Sequence, residues 1–368
     1  MRKRLHGLQR RAAFTYMEFV IIVVVLIILA TLLIPAVQSA QSAARTLTCL
    51  NNLKQIGVAM QNYHDTHNTF PMPYTADWSF DGFDAPSDNL NVHSWGQMLL
   101  PFLGESDVYD SIDMTHPAFD SGTIANINST LGTTLNPAVG QGNVTAISLE
   151  LPIFNCPSVP DGPRVDPFYI EGTHPALGLP FNLNYVTASS DYFTANGVQC
   201  EFYYGCGLGI PGYYTGPPQA KRDGIMAQVN EANSKSTVTD GLSQTFLIVE
   251  RAGSNDVYRL DVKIHDGGDG PFVDVANQQY QAGGGWGDFI NGEFWPSGSL
   301  EDGTSPTGNG PCLINCTNVD TRGLYSFHPS GVNVLMADGS AHFINESIHT
   351  DIVCQLFSRA GGTPATGF

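Results

Sequence analysis

Residues 10–35 read RRAAFTYMEFVIIVVVLIILATLLIP, and this stretch decides how the rest of the chain is arranged. A basic leader ends in small residues, and an apolar run then extends almost without interruption from Phe19 to Ile34. About 20 apolar residues are enough for a helix to cross the hydrocarbon core of a bilayer. A carboxylate in that setting costs on the order of a few kcal/mol, so Glu18 near the start of the run needs a partner. The stretch predicts a membrane span from about residue 14 to about residue 37.

A cut between Ala13 and Phe14 would supply that partner, because the new amine of Phe14 lies one helical turn from Glu18. This pattern resembles the processing signal of type IV prepilins and type II secretion pseudopilins. In that family a prepilin peptidase cuts before an aromatic residue and methylates the new amine. A glutamate at the position of Glu18 then sets the register during filament assembly. The residue before the cut is usually glycine, where this chain has Ala13, and Pro35 matches a family proline that kinks the helix.

Two other interpretations of the same stretch remain. An ordinary secretory signal peptide would have a shorter apolar core and would be cut after it, for example at Ala40-Gln41-Ser42. A plain membrane anchor would not be cut at all. The length of the run, the position of Glu18 and the helical pattern that continues past the run favour prepilin-type processing.

The distribution of charge indicates topology and excludes one class of partner. The formal net charge is −18, and loss of a leader with five basic residues makes the mature chain more acidic still. Such a surface repels nucleic acid. Because the basic residues precede the span, the N-terminus is predicted to be cytoplasmic and the remainder extracytoplasmic, in the bacterial inner membrane.

The seven cysteines would then lie in an oxidising compartment where disulfides form. The closely spaced pairs are Cys200 with Cys206 and Cys312 with Cys316. Cys49 and Cys156 could join the long helix to the globular part, which leaves Cys354 over. Alternatively, some of these are free buried thiols. Metal chelation by cysteine is discarded, because neither closely spaced pair has the repeated CxxC spacing of a zinc site.

Beyond the span, the helix is predicted to continue to about Thr66 with one apolar stripe that packs on a globular part. The stripe consists of Ala40, Ala43, Leu47, Leu50, Leu53, Ile56, Met60 and Tyr63. Residues 95–103 suggest a short buried helix that Pro101 interrupts, and residues 120–147 an exposed polar insertion. With these elements, the resemblance to pilins implies an α+β, loop-rich fold in which a long transmembrane and amphipathic helix packs on an antiparallel sheet.

The strongest strand signals come late in the chain. A strand is predicted at Thr245–Val249. Two further apolar runs, Val332–Ala337 and Ser340–Ile344, flank Asp338-Gly339. An Asp-Gly pair between apolar runs predicts a hairpin, because both residues tolerate the positive φ of a tight turn.

A second resemblance extends over most of the chain. Matching blocks are Asn51–Gly57, Asn62–Asp65, Phe70-Pro71, Phe154–Ser158, Asp240-Gly241 with Ser243, Thr245 and Glu250, and His328 to Gly339. In the last block nine residues separate His328 from Asp338-Gly339. Together the blocks resemble a large bacterial pilin-like family, the domain of unknown function 1559. The resemblance implies a prepilin-type membrane protein and says little about chemistry.

Two candidate sites compete with purely structural interpretations. His328 and Asp338, with His342 nearby, could form a metal site or an acid–base pair, but a loop histidine and a turn aspartate explain them as well. Asp266 and Asp269 could supply oxygen ligands to Ca²⁺, although they lack the spacing of an EF-hand and fit a solvated loop. No nucleophile elbow, phosphate-binding loop or His-Glu-x-x-His motif is present in the sequence, so an enzyme is not expected.

The sequence thus predicts a leader over residues 1–13, a pilin-like helix over 14–66 and an extracytoplasmic head over 67–368. The expected function is that of a pilin-like or pseudopilin subunit in a type IV pilus-like or type II secretion-like assembly. Its partners would be the inner membrane, the prepilin peptidase and other pilin-like subunits, with no cofactor. The alternative is an exported enzyme or glycan-binding head that only uses this anchor.

Overall fold

A computed structural model describes the chain in segments. The described residues are 15–76, 92–131, 134–160, 162, 165–173, 180–198, 223–227, 231–254, 256–266, 273–274, 279–280, 283–306, 310–319, 322–362 and 365. The chain divides into two compact units, Met1–Arg45 and Thr46–Phe368.

Six α-helices and twelve strands are present among these residues. The helices are α1 (Tyr16–His67), α2 (Trp95–Leu103), α3 (Ser106–Asp110), α4 (Ser121–Leu131), α5 (Pro137–Ile147) and α6 (Thr350–Phe357). The first strands are β1 (Tyr74–Ala76), β2 (Val92–Ser94), β3 (Val165–Thr173), β4 (Pro180–Ala188), β5 (Tyr192–Thr194) and β6 (Phe246–Glu250). The later strands are β7 (Val257–Arg259), β8 (Val262–His265), β9 (Val273–Asp274), β10 (Gln279–Tyr280), β11 (Gly331–Met336) and β12 (Ala341–Asn345).

The first unit contains the N-terminal part of α1, and nearly all of its apolar side chains there are exposed. Within the described residues, α1 is the one helix long and apolar enough to cross a membrane, with a mean hydropathy of 3.3 over its most apolar window. The helix therefore fits a single-pass anchor. Its predicted end at about Thr66 is confirmed to within one residue. Pro35 lies inside the helix, and the kink remains a prediction.

The second unit is organised around a four-stranded antiparallel sheet in the order β12-β11-β6-β5. The predicted hairpin is confirmed: β11 and β12 pair in register from Gly331 opposite Asn345 to Leu335 opposite Ala341. Gly339 in the turn has φ 89°, a value that glycine adopts without steric cost. The strand predicted before Glu250 is β6, all five residues of which are buried.

The sheet is covered on both faces, which gives three layers. Leu335 and Ala337 face the cluster that includes the last turns of α1, whereas Val334 and Met336 face the cluster that includes α6. The helix approaches the first face closely at Gly57, where an added Cβ would lie 2.7 Å from Leu335 Cδ1. The α+β class, with the helix on an antiparallel sheet, is as predicted.

The buried face of α1 differs from the predicted stripe. Its buried residues are Cys49, Asn52, Leu53, Ile56, Gly57, Ala59 and Met60. Leu47 is 59% exposed, so its predicted burial is wrong, and Ala40 and Ala43 are exposed as well. The prediction counted apolar residues only, whereas small and polar residues fill much of the contact. Asn52, for example, donates to the carbonyls of Pro152 and Asn155 at 3.3 and 2.9 Å.

Two further local predictions are wrong. The helix α2 continues through Pro101, because a capping box between Ser94 and Gln97 and a left-handed Gly104 fix its two ends. Residues 120–147 are not an exposed insertion: α4 and α5 pack on each other and on β4, and Ile124 and Ile147 are fully buried. In these two helices the isoleucines and valines recur at helical spacing and form a buried face, although most of the other residues are polar.

Candidate functional site: a buried histidine–glutamate pair beside a disulfide

A buried polar cluster joins α1 to the sheet within the second unit. Cys49 lies on α1, and Cys156 follows the short 3-10 turn Pro152–Phe154. Glu250 is the last residue of β6, and His328 lies in the loop that leads into β11. Cys49 and Cys156 form a disulfide across 107 residues of sequence.

His328 is the centre of this cluster. Its Nε2 lies 3.1 Å from Glu250 Oε1 and 3.5 Å from Cys156 Sγ. Its Nδ1 lies 3.0 Å from Thr46 Oγ1 and 3.1 Å from Ser158 Oγ. The imidazole thus contacts α1, the segment after the 3-10 turn and the end of β6 at once.

Backbone groups hold the partners of His328 in place. The second oxygen of Glu250, Oε2, accepts from the backbone N–H of Asn333 at 2.9 Å. Buried Asp191 accepts from the N–H groups of Cys156 and Gly253 at 2.7 and 2.9 Å, which fixes the segment that carries Cys156. A buried charge is tolerated when its lone pairs are satisfied in this way.

The cluster is closed to solvent. The side chains of His328 and Glu250 are 1% and 0% exposed, and both cysteines are buried. A substrate has no access to atoms buried to this degree. The geometry suits a structural lock or a closed ion site, in which four ligand-type side chains meet.

The predicted pair of His328 and Asp338 has different partners. Asp338 is exposed in the hairpin turn, where its Oδ1 accepts from the N–H and hydroxyl of Ser340 at 2.8 and 2.6 Å. His342 is exposed and lies 2.9 Å from Ser340 Oγ. Asp338 is therefore a turn residue, as the structural alternative predicted, and His328 pairs with Glu250 instead of Asp338.

The remaining predicted site residues lie elsewhere. Cys312 and Cys316 form a local disulfide. Asp266 is exposed, and its carboxylate lies 3.5 Å from Lys263 Nζ. Five predicted site residues fall outside the described part of the chain: Ala13, Phe14, Cys200, Cys206 and Asp269. The proposed calcium site at Asp266 and Asp269 stays a prediction.

Glu18 has a local hydrogen-bonding role in the first unit. Its Oε2 accepts from both the N–H and the hydroxyl of Thr15 at 2.8 Å, and the Thr15 hydroxyl lies 3.3 Å from the N–H of Glu18. This reciprocal arrangement is a capping box at the start of α1. The cap gives Glu18 a role within its own chain, with no contact to a neighbouring subunit required. An experiment must therefore distinguish this role from a role in filament assembly.

The fold and the cluster define a class: an α+β head built onto a long, apolar N-terminal helix. The chain matches the family model described as protein of unknown function (DUF1559) over residues 38–351, and it belongs to that family. The match begins after Pro35, so it does not cover the apolar run or the processing signal. Neither the search of curated proteins nor the search of solved structures found a match.

Sequence reasoning missed Glu250 as the partner of His328. A signal was available, because Glu250, the Phe154–Ser158 block and His328 all belong to the blocks that carry the family resemblance. These blocks are far apart in sequence and meet in the fold. The link expected between Cys49 and Cys156 is confirmed by their disulfide. The argument against cysteine ligands, however, considered only the closely spaced pairs and did not extend to these two residues.

Proposed function

We propose that this chain is a pilin-like structural subunit of a type IV pilus-like or type II secretion-like assembly, and not an enzyme. The observation that supports it best is the continuous helix α1. Its first part exposes an apolar surface, and its last part belongs to the compact head. Such a helix can leave the membrane and pack among identical helices while it carries the head with it.

In this proposal the prepilin peptidase removes residues 1–13, and Phe14 becomes the N-terminus. Before assembly, the helix anchors the chain in the bacterial inner membrane, and the head lies on the extracytoplasmic side. The two disulfides among the described residues are consistent with an oxidising compartment. Other pilin-like subunits are the partners, and the acidic surface disfavours nucleic acid.

The first prediction concerns processing. Protein extracted from the membrane should begin at Phe14, with a methylated amine, because the leader and Glu18 match the prepilin signal. Intact-mass spectrometry measures this directly. A mature chain beginning at Ala43 would identify an ordinary signal peptide, and an uncut chain beginning at Met1 would identify a plain anchor.

The second prediction separates the two roles of Glu18. Glu18→Ala removes both the charge and the cap, whereas Glu18→Gln keeps an acceptor for the capping box and removes only the charge. If the carboxylate pairs with the amine of a neighbouring subunit, both variants should insert into the membrane and both should fail to assemble. Shearing of cells followed by quantitation of assembled and membrane fractions measures this. Assembly of Glu18→Gln at the wild-type level would reduce Glu18 to a helix cap.

A further inference from the structure

The cluster around His328 brings together four metal-binding atoms of three kinds. They are the sulfurs of Cys49 and Cys156, a carboxylate oxygen of Glu250 and an imidazole nitrogen of His328, and each lies within 4.8 Å of the other three. All four residues are buried. Cysteine sulfur, histidine nitrogen and a carboxylate oxygen are each ligands of zinc, and this mixed set differs from the oxygen-only shells of calcium and magnesium.

The two distances from His328 Nε2 to its neighbours are close to those around a tetrahedral ion. Zinc bonds of roughly 2.0–2.3 Å place neighbouring ligand atoms about 3.3–3.8 Å apart. His328 Nε2 lies 3.5 Å from Cys156 Sγ and 3.1 Å from Glu250 Oε1. The two sulfurs are the exception, because they are bonded to each other in the disulfide. An ion and the disulfide therefore exclude each other.

The atoms of His328 and Glu250 that would not bind the ion have hydrogen-bond partners, as the ligands of zinc sites usually do. Coordination through Nε2 requires the proton of His328 to sit on Nδ1, and the hydroxyls of Thr46 and Ser158 lie 3.0 and 3.1 Å from Nδ1 as acceptors. Oε2 of Glu250 is occupied by the N–H of Asn333, which leaves Oε1 for the ion. A divalent cation would also offset most of the charge of two thiolates and one carboxylate in a buried site.

We propose that Cys49, Cys156, Glu250 and His328 bind one Zn²⁺ in the reduced chain, and that the Cys49–Cys156 disulfide replaces the ion on oxidation. On binding, the two thiols release two protons and no electron moves. On oxidation, the two thiolates give two electrons to a small-molecule or protein disulfide, whose S–S bond breaks and which takes two protons from water to become two thiols. The Cys49–Cys156 bond forms, and Zn²⁺ leaves. Either state ties residues 46–67 of α1 to the head, so the helix is held before and after oxidation.

The test uses the full chain in a mild detergent. The protein is reduced, freed of reductant and metal under argon, and titrated with Co²⁺ and then with Zn²⁺. We expect one Co²⁺ per chain with the intense visible absorption of a tetrahedral ion and a sulfur-to-cobalt charge-transfer band, and displacement of both by Zn²⁺. The same chain in the disulfide form should bind no ion at this site. Circular dichroism of each sample reports whether the fold is retained.

Matched variants locate the ion. Cys312→Ser with Cys316→Ser removes the local disulfide and should leave the stoichiometry at one, whereas Cys49→Ser with Cys156→Ser should abolish binding. Glu250→Gln and His328→Gln, which keep both thiols, should each weaken binding by at least about tenfold. Full binding by the Cys49→Ser, Cys156→Ser variant would place the ion elsewhere and overturn the proposal. So would a reduced wild-type chain that takes up no ion, whether folded or unfolded.

Discussion

At the scale of single residues, His93 shows how burial sets pH dependence. His93 lies on β2 and is 1% exposed, and its Nδ1 is 3.3 Å from Gln97 Oε1. Burial lowers the pKa of His93 to about 4, against partial opposition from the hydrogen bonds to Gln97 and to the backbone of Met114. The imidazole is therefore neutral in the folded chain across the usual pH range.

The third prediction follows from this pKa. The unfolded chain binds a proton at His93 near pH 6.5, whereas the folded chain does so only near pH 4. The part of the free energy of unfolding that comes from neutral His93 is fully present above pH 6.5 and is lost as the pH falls toward 4. Between pH 7 and pH 5 the loss is about 2 kcal/mol. Chemical denaturation of wild type, His93→Gln and His93→Phe at both pH values measures the loss. Both variants should lose about 2 kcal/mol less than wild type on acidification.

Comparison within each protein removes the packing cost of the substitutions, because that cost is nearly the same at both pH values. The two variants differ in size and polarity but share the absence of a titrating group. An equal loss in all three proteins would contradict the lowered pKa of His93.

At the scale of elements, the contact of α1 with the sheet depends on Gly57. An added Cβ there would lie 2.7 Å from Leu335 Cδ1 and 2.8 Å from the carbonyl oxygen of Gly339. The second neighbour is backbone in the β11–β12 turn, so it moves less readily than a side chain. Gln61, one turn further along α1, donates to the carbonyl of Ala337 at 3.1 Å and so holds the helix against the same turn.

The fourth prediction compares two Gly→Ala substitutions in helices. Gly57→Ala should destabilise the chain by roughly 1–3 kcal/mol, since the clash outweighs the gain in helix propensity. Gly142→Ala on α5 meets no atom within 4 Å and should stabilise it by roughly 0.5–1 kcal/mol. Urea denaturation of both variants beside wild type measures the two shifts. A stabilising Gly57→Ala would mean that α1 does not seat on the hairpin turn.

At the scale of the whole molecule, the compact head includes the last part of α1. The division of the chain falls at Arg45, because residues 46–67 supply Leu53, Ile56 and Met60 to the core, each with 0% exposure. Each such side chain contributes roughly 1.5–3 kcal/mol of burial before entropy is counted. The same segment carries Cys49, so its loss also removes a disulfide.

The fifth prediction concerns fragments of the chain. A fragment that starts at Asn68 should melt at a lower temperature and aggregate more than one that starts at Ser39, because the sheet face under α1 becomes exposed. A fragment that starts at Thr46 keeps the entire compact unit and should behave as the one that starts at Ser39. Calorimetry and light scattering on the three fragments measure this. Equal melting temperatures for all three would show that α1 is a free stalk.

Local patterns in the sequence were sufficient for several elements. The helix α1, the strand β6 and the β11–β12 hairpin were predicted with boundaries close to those observed. Their causes lie within a few residues: an apolar run, a buried strand pattern and an Asp-Gly turn. Where tertiary packing overrides the local pattern, as at Pro101 and in α4 and α5, the prediction from sequence was wrong.

The sequence by itself determined the apolar helix and the turn at Asp338-Gly339, because both depend on composition or on short spacings. It also determined the membership in a family, because the matching blocks are recognised along the chain without knowledge of which of them meet. Only the tertiary structure decided that His328 pairs with Glu250 rather than with Asp338, and that Cys49 and Cys156 lie beside them. The reason is topological. These four residues come from four segments far apart in the chain, and only the packing of α1 on the sheet brings their polar atoms together away from water.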